Sequence, residues 1–194
     1  MPTGTLSPDL QQTLLNFARQ ALEAAVRNQP APEFNLSDQP PELQAPGAAF
    51  VTLTRRGELR GCIGALEAYQ PLIADVIKHA AAAGTEDYRF HTVQPEELKD
   101  IEIEISRLTA PEALSYLDAQ DLLHQLRPGI DGVVLQDGWR RATFLPQVWE
   151  KLPDPEEFLS HLCQKMGAAS NTWRHKKLKV LAYQVEEFRE KPAG

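Results

Sequence analysis

Cysteine is scarce in this chain: two residues, Cys62 and Cys163, stand far apart in a sequence of 194. So sparse a set does not staple a small secreted fold, and two free thiols in a reducing compartment are expected. No stretch approaches the ~18 consecutive apolar residues of a membrane-spanning helix. Met1-Pro2-Thr3-Gly4-Thr5 has no basic segment leading into an apolar one, so no secretory signal is read there. A cytoplasmic location is the expectation. Positive charge is short as well, since 20 Lys and Arg face 27 Asp and Glu for a net charge of −7. That balance argues against bulk attraction to nucleic acid or anionic membrane, while leaving room for a local basic patch. Histidines are few, and His79, His91, His124, His161 and His175 never fall three or four apart. No dedicated metal site, no iron–sulfur cluster and no bound cofactor are therefore expected.

What the chain does have is an ordinary globular balance, 42% apolar and 24% charged, at a length that buries a core without staples. One domain, or two interlocked subdomains, is the prior over residues 1–194. Ser7, Pro8 and Asp9 start a helix, with a hydroxyl cap, a proline in the first turn and an acid at the positive dipole end. Leu10, Leu14, Phe17, Ala21, Leu22 and Val26 then mark one face of it, predicting a helix over 7–28. Residues 29–47, with five prolines from Pro30 to Pro46, read as an extended connection pinned by Phe34, Leu36 and Leu43. A β-hairpin follows over 48–66, turning at Arg56-Gly57-Glu58.

In the remainder, 67–194, Pro71 opens a helix that Gly84 is expected to stop. Residues 100–108 alternate like a strand with one wet face. Residues 117–126 form a short helix, and 132–136 and 139–145 a second hairpin joined by Asp137-Gly138. A helix from Asp154 to Met166, stopped by Gly167, and one final strand over 178–186 complete the chain. Hairpins imply antiparallel pairing, so the fold class is α+β, a mostly antiparallel sheet with flanking helices. Each half reads hairpin, helix, strand, which hints at a duplicated unit.

Leu59-Arg60-Gly61-Cys62-Ile63-Gly64 carries the most chemistry. On a regular strand Arg60, Cys62 and Gly64 share one face, and Leu59, Gly61 and Ile63 turn to the core. A guanidinium beside a thiol favours the reactive thiolate. Gly61 and Gly64 remove side chains on either side, so a ligand or another backbone can come close. The competing reading is packing, because free cysteine is among the most buried residue types and strand glycines often mark bends. Arg60 and Cys62 are expected to floor a groove, with Asp87 and Arg89 on its walls and Asp87 as the plausible partner of Arg60.

The hexapeptide resembles the hallmark of the AMMECR domain family, also called protein A of the AmmeMemoRadiSam system. The resemblance extends to Gly47-Ala48-Ala49-Phe50-Val51-Thr52-Leu53 and to Asp87-Tyr88-Arg89-Phe90, where tyrosine replaces the family's proline. It continues through Ile103 to Leu108, Gly129-Ile130-Asp131-Gly132, Phe144-Leu145-Pro146-Gln147-Val148, Lys165-Met166-Gly167 and Trp173. It implies an α+β fold with a cleft between a larger and a smaller subdomain. It also implies a Memo-like protein and a radical S-adenosylmethionine enzyme as partners, and it places Arg141 near the site.

Other residues carry weaker signals. Glu102 and Glu104 share a strand face and are read as solvated rather than as an acid–base pair. Cys163 falls among Phe158, Leu159, Leu162 and Met166 and is read as core. Arg140-Arg141 beside Trp139 could bind phosphate, although on strands one of the two usually faces water. The run Trp173-Arg174-His175-Lys176-Lys177 with Lys179 is the one basic run with an aromatic, and is read as a solvated stretch before the final strand rather than a nucleic-acid surface. Gly61-Cys62-Ile63-Gly64 also fits the Gly-x-x-Gly loop of RNA-binding modules, but a strand with Cys-Ile at its centre excludes that loop. The functional expectation is a thiol-dependent enzyme or enzyme subunit acting on a small anionic ligand. Cys62 would be its nucleophile or redox thiol, with Arg60, Gly61, Gly64, Asp87, Arg89 and Arg141 binding. The alternative is a non-catalytic scaffold for the same partners. Nucleic-acid binding is least favoured.

Overall fold

The structure is a computed structural model that describes residues 5–190. In chain order its elements are α1 (Pro8–Val26), α2 (Pro41–Gln44), β1 (Pro46–Arg55), β2 (Glu58–Gly64), β3 (Gln70–Pro71), α3 (Leu72–Thr85) and β4 (Ile101–Leu108). Then come β5 (Glu112–Ala113), α4 (Ala119–Gln125), β6 (Gly132–Asp137), β7 (Arg140–Phe144), α5 (Pro155–Lys165), α6 (Thr172–His175), β8 (Lys179–Tyr183) and β9 (Val185–Arg189). The class is α+β with antiparallel sheets and flanking helices. Two compact units divide the chain, one of residues 5–109 with 186–190 and one of 110–185.

In the first unit the main sheet runs β2-β1-β4-β9, with β3 attached to β1. Ser7 caps α1 by accepting the Leu10 N–H, and Pro8 and Asp9 occupy its first turn. Leu14, Leu15, Ala18, Ala21 and Leu22 of α1 pack in one core with Ile73, Val76, Ala80 and Ala83 of α3 and Val51, Leu53, Ile103 and Ile105 of the sheet. Gly84 does not stop α3. It lies inside the helix, where a Cβ would stand 2.4 Å from Leu22 Cδ1, so its bareness lets α1 approach. The proline-rich connection holds a 3-10 turn, Leu36–Asp38, and the short α2, and Leu43 is fully buried.

The second unit carries the sheet β5-β8-β6-β7. Its core gathers Leu122, Val133, Leu135, Phe158, Leu159, Leu162, Cys163 and Val180. Trp149 stacks on Phe158 with ring centroids 3.7 Å apart and donates its indole N–H to the Asp131 carbonyl. Burial pushes the Cys163 thiol pKa up, consistent with its core position.

Both units use the same connection. β1 lies between β2 and β4, and β6 between β7 and β8, so each helix, α3 or α5, carries the chain over the first hairpin strand. The turns are two-residue loops. Arg55 pairs with Glu58 across Arg56-Gly57, where φ is positive at both residues, 54° and 82°, the signature of a type I′ turn. Asp137 pairs with Arg140, so the second loop is Gly138-Trp139 rather than Asp137-Gly138, with φ positive at Gly138 alone. The expected final strand is also two strands. β8 belongs to the second sheet and β9 to the first, with Gln184 between them.

Candidate functional site

The hallmark segment is β2, the edge strand of the first sheet. Its register against β1 pairs Gly64 with Phe50, Ile63 with Val51, Cys62 with Thr52 and Gly61 with Leu53. The next pair is Leu59 with Thr54, which leaves Arg60 as an extra residue, a β-bulge. One inserted residue reverses the alternation. Above the bulge, Gly61 and Ile63 sit in the buried rows of Leu53–Ile103 and Val51–Ile105. Below it, Leu59 joins the opposite face with Thr54 and Glu102 and is 45% exposed, so the expectation that Leu59 is committed to the core fails.

The bulge also separates Arg60 from Cys62. Arg60 makes a bidentate pair with Glu97, Nε to Oε1 at 3.0 Å and Nη2 to Oε2 at 2.9 Å, and donates Nη1 to the His91 carbonyl at 2.8 Å. Its partner is Glu97 and not Asp87. Glu97 accepts as well from Arg55 and from the Gln94 N–H. These donors, Arg60 foremost, hold its pKa down at about 2. Glu97 could be sensed in sequence only through Gln94-Pro95-Glu96-Glu97, the pattern of a capped helical start.

Asp87 and Arg89 grip Cys62 by its backbone. Asp87 Oδ2 accepts the Cys62 N–H at 2.8 Å, and Arg89 Nη2 donates to the Cys62 carbonyl at 3.2 Å. The two are paired to each other, Nη2 to Oδ2 at 2.7 Å and Nε to Oδ1 at 2.9 Å. Arg89, with help from the two N–H donors, holds the Asp87 carboxyl well below the usual range, and Asp87 in turn raises Arg89. An edge strand presents unpaired N–H and C=O groups, and this clamp satisfies those of Cys62. The Asp87 side chain is 2% exposed and that of Arg89 44%, so part of the guanidinium remains open to solvent.

The Cys62 side chain lies on the face opposite the core and is half-buried. Its Sγ accepts a hydrogen bond from Thr52 Oγ1 at 3.3 Å. Glu104 follows Thr52 in the same cross-strand row and is paired with Arg189 at 3.0 Å. Thr52 and Glu104 are thus the site neighbours that spacing alone could not deliver, because they come from other strands.

The glycines serve packing. A Cβ at Gly61 would stand 2.1 Å from the Ala83 carbonyl oxygen, so its absence lets α3 lie against β2. A Cβ at Gly64 would meet the Phe50 ring and the Ala49 carbonyl, both at 2.5 Å. The space expected to open as a groove at Gly64 is occupied by the Phe50 side chain. Arg141 lies exposed on β7 of the second unit, in register with Gln136. Among the described residues no three His, Cys, Asp or Glu side chains gather as a metal site would need, and no helix is long and apolar enough to cross a membrane.

The sequence model of the AMMECR1 family matches residues 15–188. A protein of Methanothermobacter thermautotrophicus is 38% identical over 192 residues, covering 98% of this chain and 99% of that protein. One from Thermofilum pendens is also 38% identical, covering 95% and 92%. A crystal structure of an uncharacterised protein from Pyrococcus horikoshii superposes with a TM-score of 0.80 at 32% identity, covering 96% of this chain and 94% of that one.

Proposed function

The chain belongs to the AMMECR1 family, and on that premise we propose that it works as a thiol-bearing subunit that holds an anionic ligand against Cys62. The observation that supports this reading is the clamp. Asp87 and Arg89 fix the Cys62 backbone from both sides, and the exposed part of the Arg89 guanidinium stands beside the thiol strand. Arg60, expected to hold the anion, is consumed by Glu97 and builds the strand instead. The anion-binding role passes to Arg89.

The group bonded to the Cys62 sulfur is the Thr52 hydroxyl, which does not take up a proton at neutral pH. A base for thiol chemistry would then come from a partner, which fits a subunit better than a self-contained enzyme. A Memo-like protein and a radical S-adenosylmethionine enzyme are the partners this reading names. A scaffold with no chemistry at Cys62 is the second reading, favoured by the packing role of Gly61 and Gly64.

Two alkylating reagents of similar size separate these readings. Iodoacetate carries a negative charge and iodoacetamide none, so their rate ratio at Cys62 reports local attraction for anions. The expected ratio exceeds that of a free thiol by about tenfold and falls to the free-thiol value in Arg89→Gln. A ratio no higher than that of a free thiol, unchanged by Arg89→Gln, sinks the anion-holding thiol. Co-purification of the partners with a Cys62→Ala variant that lacks activity would support the subunit over the scaffold.

A further inference from the structure

The structure brings together two stretches that the sequence keeps well apart, the Gly138-Trp139 turn and the basic run before β8. Asp137 Oδ2 pairs with Arg140 and Asp137 Oδ1 with Lys176, both at 2.6 Å. Gln136, next to Asp137, is in register with Lys179 on β8 and donates to the Gly138 carbonyl. Trp139 therefore stands at a turn flanked by cations on both sheet faces, Arg140 and Lys176 on the side of Asp137 and Lys179 on the side of Gln136. The one carboxylate there is tucked beneath its partners: the Asp137 side chain is 10% exposed against 56% for Lys176. Three cations against one carboxylate leave the turn with net positive charge.

Trp139 is 92% exposed, whereas Trp149 and Trp173 are buried at 3% and 2%. A two-residue β-turn tip has no packing reason to hold a tryptophan, and polar residues suit such positions better. Tryptophan and arginine are the residue types that most often anchor protein interfaces. We propose that this tip is a docking surface for an acidic segment of a partner protein, whose carboxylates meet the exposed Lys176 on one side of the turn and Lys179 on the other while an apolar side chain covers Trp139.

Two features select that occupant. Single-stranded nucleic acid is held by successive aromatic platforms, and Trp139 is the one aromatic among the large exposed apolar residues of the second unit. The chain's charge of −7 also works against a polyanion far more than against a short acidic segment.

The buried state of the other two tryptophans makes Trp139 a built-in reporter. The full chain is titrated with a capped peptide in which a leucine is flanked by two glutamates on each side, following emission and acrylamide quenching. The expected result is a blue shift and about a twofold drop in quenching, lost in about 0.5 M salt. A Lys176→Gln/Lys179→Gln double variant, altered only at exposed lysines, should keep the Trp139 spectrum and lose the response. The proposal is overturned if the peptide leaves quenching unchanged, if the double variant still responds, or if oligo-thymidylate protects Trp139 where the peptide does not.

Discussion

Two glycines of the first hairpin, Gly57 and Gly61, are bare for different reasons, and the difference can be measured. Gly57 has φ of 82° and nothing within 4 Å of an added Cβ, so Gly57→Ala meets only backbone strain. Its expected cost is about 1 kcal/mol. Gly61 has no such φ, but its Cβ would collide with the Ala83 carbonyl, so Gly61→Ala must push α3 off β2. A cost of about 3 kcal/mol or more is expected there. Urea denaturation of the two variants checks the contrast. Equal losses would show that α3 yields easily and that Gly61 is not a packing residue. At the same scale the thiols divide cleanly: Cys163 is sealed in the second core, while Cys62 is half-exposed. That distinction was legible from the helical neighbours of Cys163. Of the neighbours of Cys62, Asp87 and Arg89 were expected beside it, whereas Thr52 reaches the sulfur across the strand pair and was not.

The bulged β2 and the loop behind it form one electrostatic element. Glu97 titrates in the folded chain at about 2, below its ordinary 4.5, because Arg60 and its other donors favour the ionised form. A depressed carboxyl stabilises the fold fully above its unfolded value, and the contribution is lost as pH falls from about 4.5 towards 2. Asp87 shifts in the same direction and adds to the same acid limb. Melting temperature should hold steady down to about pH 5 and fall below it, and Arg60→Gln should flatten that limb while costing about 2 kcal/mol at neutral pH. Superimposable acid limbs in the two proteins would mean the pair is not what depresses Glu97. The clamp has its own signature. Asp87→Asn weakens the charge-assisted bond to the Cys62 N–H, so hydrogen exchange at that amide should quicken by about tenfold while Val51 and Ile105 stay protected. Unchanged exchange at Cys62 would show that the strand edge needs no clamp. Sequence could not announce this element, because alternation read through Arg60 assumes no bulge. A bulge is set by what the extra residue finds outside the strand, here Glu97, whose position depends on how the loop after α3 returns.

At the scale of the molecule, the hairpins, the helices over each sheet and the α+β class followed from turn residues and periodicity. The division of the last strand did not. Residues 178–186 read as one strand, and only the topology shows β8 joining the second sheet and β9 the first. The chain thus enters the second unit once after Thr109 and leaves it once near Val185. On the first-unit side those two points are neighbours. Arg107 is paired with Glu186, and the Glu190 N–H donates to the Ile103 carbonyl, which sets β9 antiparallel to β4 with its start beside the end of β4. A short hairpin turn could close that gap. The buried side chains of the first core come from α1, α2, α3, β1, β4, β9 and the adjoining Leu6, Val93 and Leu98, none of them within 110–185. We therefore expect a chain in which an Asn-Gly turn joins Thr109 to Glu186 to fold cooperatively and to keep slow amide exchange in β1 and β4. Its Cys62 should retain the Arg89-dependent preference for iodoacetate, since Asp87, Arg89 and Thr52 all lie in the first unit. A shortened chain that unfolds without cooperativity would show that the two units fold only together. One that folds but loses the reagent preference would place an essential part of the anion site in residues 110–185.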